Sequence, residues 1–322
     1  MHCKPRVVIV LLIILTAAGP AVFGQQADAK QQILITNVNV WDGTSDGVKP
    51  GINVLVEGNL IKIVATGAVN APGATVIDGG GRTLMPGLID SHSHLNVVAD
   101  GGLKELEAAT WDRTGALAAS TAREMLSDGF TTVRDMGGMA SGLKKTIDQG
   151  FLDGPRIYPS GSYISQTAGH GDLLFGSQRD PQTNNLVRLG ITQLADGADA
   201  VRAAVRKNLG EGASQIKIMV GGGISSEKGP LFAPQFTDAE IRAAVEEAAT
   251  RDHLLQDLDE VLEGHDLDGG AYADLLIVDG NPLEDITTIG ANPKYFDSEP
   301  RERGIPTIRL IMKDGKIYKN TL

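Results

Sequence analysis

The chain has 322 residues, enough for two domains of about 150 residues or for one large α/β domain with a satellite. Its 29 Lys+Arg against 40 Asp+Glu give a net charge of −11, which leaves no basic excess for a phosphate backbone and argues against nucleic acid as a partner. A hydrophobic fraction of 42% with 21% charged residues excludes wholesale disorder, and 40 glycines beside 4% aromatics suit a loop-rich α/β scaffold better than an aromatic-lined binding module.

In chain order, residues 1–24 read as a secretory signal. Lys4 and Arg6 precede an apolar or small run at 7–18, and Ala21-Val22-Phe23-Gly24 offers a small-residue cleavage point. The run is shorter than the roughly 20 residues that span a bilayer, so no stable membrane anchor is expected and the mature chain is expected to be exported, periplasmic or secreted. Cys3, the only cysteine, lies ahead of the run. The mature chain therefore has neither a disulfide nor a thiolate metal site.

From 33 to 84, short β-branched runs alternate with turn signals, and Glu57-Gly58-Asn59 predicts a hairpin. Residues 273–280 and 307–319 have the same character, the second with an Asp314-Gly315 hairpin signal. Strand edges need partners. Pairing of the two ends with each other predicts a small β-sandwich built from residues 25–84 and 273–322.

Between them the pattern alternates strands and helices. Strand runs are LMPGLIDSHSHL (84–95), TTVRDMGG (131–138), PRIYPSG (155–161) and QIKIMVGGG (215–223), and helical patterns fall at 106–128, 140–149, 198–209 and 238–251. Thr237 with Glu240 three residues on predicts a capping box for the last helix. Such repeats imply a parallel sheet with right-handed crossovers and chemistry at the C-terminal strand ends. A full barrel takes about 250 residues. The stretch available is too short, so the fold class expected is α/β, an incomplete (β/α) TIM-type barrel of about four units at 85–251 plus the small β-sandwich, with 252–272 as a junction.

His92-Ser93-His94 follows an apolar run, so both imidazoles project from one face of a strand end. Converging neutral imidazoles ligate Zn and similar divalent ions, although the tripeptide alone also fits two surface or hydrogen-bonding histidines. Asp90 either shares that face as an acceptor for a ligating histidine or is a turn residue. Lys217 is the odd residue in Ile216-Lys217-Ile218-Met219-Val220, because a parallel strand is normally almost continuously apolar. It is either ion-paired, for instance with Asp135, or desolvated with a lowered pKa and open to covalent modification. His170, in a polar loop after the third strand, either lines the active-site face or lies on the surface. His253 and His265 read as solvated loop residues. No nucleophile elbow is present, and Gly221-Gly222-Gly223 lacks the spacing of a phosphate-cradling loop.

Met85-Pro86-Gly87-Leu88-Ile89-Asp90-Ser91-His92-Ser93-His94 resembles the entry motif of the amidohydrolase superfamily, and ADLLIVDGNPL (273–283) resembles the segment by which those enzymes return to their β-sandwich. TTVRDMGG, SQTAGHGD (165–172) and QIKIMVGGG are similar to the imidazolonepropionase-like branch that includes Xaa-Pro dipeptidases. The resemblance covers 33–251 and 267–319. It implies metal-dependent hydrolysis of a carbon–nitrogen bond in a small amide or dipeptide substrate, with metal-activated water attacking the carbonyl. By the same resemblance His92 and His94 ligate the first divalent ion, Zn before Mn, Fe, Co or Ni. Lys217 is carbamylated to bridge two ions, and His170 helps to hold substrate.

The chain departs from that pattern after Arg251. No His-x-His, Glu-His-Gly or Gly-Thr-Asp follows, and Asp257, Asp259, Asp266 and Asp268 sit on no matching strand motif. The family's catalytic aspartate is thus unassigned and impaired activity is expected. Two other readings stand beside this one: a catalytically dead truncated homologue, and a non-enzymatic half-barrel interaction module. An open half-barrel exposes strand edges and apolar surface, so self-association is expected.

Overall fold

The computed structural model describes residues 30–96, 102–138, 140–174, 180, 182, 184–223, 228–250, 269–290 and 304–322. The expected export signal, His253, His265 and the four aspartates Asp257, Asp259, Asp266 and Asp268 lie outside the described residues. The strands are β1 (Gln32–Val40), β2 (Lys49–Glu57), β3 (Leu60–Ala65), β4 (Thr75–Asp78), β5 (Thr83–Pro86), β6 (Leu88–Ser93), β7 (Phe130–Asp135), β8 (Arg156–Pro159), β9 (Tyr163–Ser165), β10 (Thr192–Leu194), β11 (Leu275–Val278), β12 (Ile308–Lys313) and β13 (Lys316–Asn320). The helices are α1 (Gly102–Glu107), α2 (Trp111–Ser127), α3 (Ala140–Asp148), α4 (Asn185–Arg188), α5 (Ala198–Gly210) and α6 (Asp238–Ala249).

The two ends of the chain do pair. An eight-stranded sheet runs β13-β12-β11-β5-β1-β2-β3, with β4 added on β1, and β11 meets β5 antiparallel. Both hairpins form where turn residues predict them. Gly58 at φ 64° begins one turn, while Asp314 and Gly315 at φ 50° and 71° make the other, the left-handed geometry that suits tight hairpins. In β1 the apolar positions Ile33 and Ile35 give way to Val38 and Val40, a change of parity that would turn half the strand outward. A bulge with Asn37 at φ 54° absorbs the extra residue, and all four side chains enter the same core. The sheet curls on itself: Ile61 and Ala271 bond at 2.8 Å, and Ala273 bonds Asn59, so β3 returns to the segment that leads into β11. The two ends of the chain thus join in one curled sheet.

The central strand β11 is buried on both faces. Leu275 and Ile277 join the inner core of the curled sheet, whereas Leu276 and Val278 pack with Met85, Ile308, Ile311 and Leu126 of α2. That second face carries the parallel part. Gly87 hands the chain from β5 to β6, so LMPGLIDSHSHL is two strands in two sheets rather than one. A Cβ at Gly87 would lie 2.0 Å from Thr131 Oγ1, so no larger residue fits at the crossing.

Beyond it β6, β7 and β8 form a parallel sheet in that order, as βα repeats require. Helices α2 and α3 cover one face through Ala122, Ala140 and Ile147 against Val133 and Ile157. The helix expected over 106–128 is broken before Thr110. Asn185 Nδ2 explains the break, because it donates to the carbonyls of Leu106 and Ala109 and so satisfies the end of α1 from outside the helix. Helix α6 begins with the expected capping box, Thr237 and Glu240 bonding reciprocally.

The QIKIMVGGG segment departs from expectation. Instead of a strand it makes a single parallel bridge, Ile218 to Ile164, with the Lys217 carbonyl accepting from Ile164 N–H and Met219 N–H donating back, both at 2.9 Å. Its one β-bridge among the described residues is to β9, which is itself three residues long and paired with β10. A segment with one short neighbour has too few ladder bonds to hold extended geometry. Among the described residues the parallel strands do not close into a barrel.

Candidate metal centre

The C-terminal end of β6 carries the histidine pair. The rings of His92 and His94 lie 5.3 Å apart between centroids and are tilted by 58°, so the two-residue spacing does bring them together on one side. Ser93 between them faces the interior and is buried. Asp90 lies within β6, and its Oδ1 accepts the His92 N–H at 2.9 Å.

Lys217 belongs to the same cluster. It is partly buried, and its charge acts on both histidines. It makes no ion pair with Asp135 or any other carboxylate among the described residues. Burial, followed by the cation of Arg134, pulls its pKa below the ordinary lysine value. The histidines move the same way. His92 is lowered by desolvation and then by Lys217 and Arg134, and His94 by deeper burial and then by His92 and Lys217. All three groups are thereby biased to their neutral, electron-donating forms. His94 Nδ1 is buried without a hydrogen-bond partner.

Two further residues shape the cluster. Asp135, at the end of β7, accepts the Leu95 N–H at 2.8 Å and so braces the residue after His94; burial pushes its pKa up to about 7, and its second oxygen has no partner. Arg134 donates from Nε to the Ser91 carbonyl at 2.8 Å and supplies the positive field felt by His92 and Lys217. Neither role was legible in TTVRDMGG, since both depend on β6 lying beside β7.

His170 sits in the loop after β9. Its N–H donates to Gln235 Oε1 at 2.9 Å, and its ring packs on Gly223, where an added Cβ would come within 2.3 Å of Cε1. The loop is thus fastened to the end of the Lys217 segment. Nδ1 of His170 and Nε2 of Gln235 are both buried and unpartnered. Gln235, 3% exposed, was not distinguished by any sequence signal.

The donor set fits a divalent ion in part. Two neutral imidazoles, one with an orphaned ring nitrogen, and a lysine amine biased to its neutral form are suitable precursors of a ligand shell. Among the described residues no group of three His, Cys, Asp or Glu side chains converges to hold a metal ion.

This fold and histidine entry strand define a family. The chain belongs to the amidohydrolase family, whose model matches residues 83–256, just over half of its length. It is 37% identical over 188 residues to ochratoxinase of Aspergillus niger, covering 53% of this chain and 38% of that one. Imidazolonepropionase of Anaeromyxobacter dehalogenans (strain 2CP-C) is 34% identical over 122 residues, 28% of this chain and 29% of its own. The chain thus spans well under two thirds of the curated relatives it matches. Its fold is similar to a crystallised amidohydrolase at TM-score 0.78 and 24% identity, covering 91% of this chain and 100% of that one. A prolidase complexed with N-methylphosphonate-L-proline gives TM-score 0.76 at 22% identity, covering 90% and 100%.

Proposed function

We propose that this chain carries the first half of a metal-dependent hydrolase centre for carbon–nitrogen bonds in small amides or dipeptides. His92 and His94 would hold a divalent metal, Zn first, and Lys217 would join them as a carbamate. The observation that carries the reading is the 5.3 Å histidine pair with Lys217 close enough for its charge to act on both rings. A neutral lysine amine can add its Nζ lone pair to the carbon of CO₂ and lose one of its two N–H protons, leaving a carbamate whose single negative charge is shared by two oxygens. The metal, when bound, would acidify water and polarise the scissile carbonyl. His170, held by Gln235, would orient substrate at the mouth of the site. Family membership and likeness to ochratoxinase and prolidase support amide or peptide substrates.

The same reading takes residues 85–251 as the surviving four units of a (β/α) barrel, 25–84 with 273–322 as its companion sandwich, 252–272 as a junction and 1–24 as an export signal. Activity would be impaired, because no aspartate is assigned to the proton transfer. A second reading, a half-barrel that associates through its open side without chemistry, is favoured by apolar residues at the open edges, Ile89 at 36% and Val220 at 48% exposed.

Elemental analysis of residues 25–322 beside a His92→Ala/His94→Ala control tests the proposal. Near-stoichiometric metal that disappears in the control is expected, and Xaa-Pro and Xaa-Arg dipeptides are then the first substrates to assay. Metal no higher than the control would sink the enzymatic reading and leave the associating half-barrel.

A further inference from the structure

Two cations meet on the face of the parallel strands that the helices leave uncovered, and neither is paired with a carboxylate among the described residues. On β7, Val133 packs beneath α2 and α3, so Arg134, the next residue, turns to the opposite face. Its Nε donates to the Ser91 carbonyl at 2.8 Å, which fixes the guanidinium one residue from His92. Both Nη groups are left without a partner among the described residues.

Lys217 reaches the same place from another segment. Ile216 and Ile218 both pack into the core beneath α5 and α6, and Lys217 between them points the other way. Gln215 shows where that side lies, because its Nε2 donates to the carbonyls of Tyr158 on β8 at 2.9 Å and Asp135 on β7 at 3.2 Å. The lysine is thereby carried to the end of β7, where the charge of Arg134 acts on it. Its own amine makes no hydrogen bond or ion pair among the described residues. Both side chains are partly exposed and His92 is exposed, so small solutes have access to the cluster. Asp90, the carboxylate whose charge acts on both histidines, is turned to the His92 N–H.

An excess of positive charge on one open face favours an anion there. A carbamate on Lys217 is such an anion, planar with two oxygens, the shape that the paired N–H groups of a guanidinium match. We propose that Arg134 is a positioning residue that holds the Lys217 carbamate before any metal binds, its Nη groups donating to the carbamate oxygens. This rests on the carbamylation put forward above. The neutral amine forms the Nζ–C bond as one carbon–oxygen π pair of CO₂ moves to oxygen, and one N–H proton leaves to water. The product sets an anion beside the guanidinium, and the modification precedes metal loading.

The test treats the full chain with a chelator, adds ¹³C-labelled bicarbonate, follows the carbamate carbon by NMR, then removes the bicarbonate and times the decay. A carbamate signal absent from Lys217→Met is expected without metal. Arg134→Gln should shorten its lifetime by about tenfold through loss of charge-assisted hydrogen bonds, and Arg134→Lys should recover part of it by restoring the charge without the fork. His92→Ala/His94→Ala, which removes the proposed metal ligands, should retain the signal, so a chain that binds no metal can still pass. No carbamate before zinc is added, a signal that survives Lys217→Met, or a decay unchanged by Arg134→Gln would overturn the proposal.

Discussion

Lys217 is a partly buried cation with no carboxylate beside it among the described residues, next to two histidines and under the field of Arg134. An unpaired, partly desolvated charge stabilises nothing in the apo chain. Lys217→Met should therefore leave the thermal midpoint unchanged or raised in calorimetry, while lowering bound metal and any hydrolysis. A fall of several degrees would instead reveal a structural ion pair. The histidine pair was legible because residues two apart on a strand share a face, and Lys217 because it interrupts an apolar run. Arg134 and Gln235 were not. Their roles arise from an adjacent strand and from a loop that closes back on His170, neither of which is written in local spacing.

At the scale of elements, the junction between the curled sheet and the parallel strands decides how the histidines are presented. Gly87 is the crossing point, and Gly87→Ala should destabilise the fold by about 1–3 kcal/mol or more, since the new methyl meets the short, buried Thr131 side chain as far in as its Cβ at 2.7 Å. Urea denaturation measures this directly. Beside it, Asp274 is buried, accepts the Asp314 N–H at 2.7 Å and pairs with Arg156 at 3.2 Å. Burial outweighs Arg156 and raises its pKa from 3.8 to about 6. Between those values the folded chain keeps a proton that the unfolded chain has lost, so this group's contribution to stability falls as pH rises from 3.8 to about 6 and is level above it. Asp274→Asn should remove that slope from a series of thermal midpoints; a midpoint difference that grows in the opposite sense would mean that Arg156 dominates. The hairpins and the Thr237 capping box were legible at this scale because turn and cap chemistry lie within four residues. The break before Thr110 was not, because Asn185 reaches it from another helix.

Across the whole molecule, the curled sheet encloses its own core, while the parallel strands β6, β7 and β8 are covered by helices on one face and, among the described residues, form an open sheet. The chain matches only 38% of the length of ochratoxinase. Ile89 on β6, an edge strand of its sheet among the described residues, and Val220 in the Lys217 segment are exposed apolar residues. Light scattering after size exclusion should show a mass above the monomer, reduced by Ile89→Lys, which charges the open edge. A monodisperse monomer for the parent chain would argue against an associating half-barrel.

The sequence by itself determined the α/β class, the pairing of the two chain ends, the parallel order of the first strands and the His92-Ser93-His94 motif. Each rests on periodicity, turn residues or motif spacing, which act over a few neighbouring positions. Only the tertiary structure decided that QIKIMVGGG makes one β-bridge rather than a strand, that β11 is shared by two cores, and that Lys217 has no carboxylate partner among the described residues. Those outcomes depend on which distant segments become neighbours and how much water they exclude, and burial and electrostatics follow spatial distance rather than position along the chain.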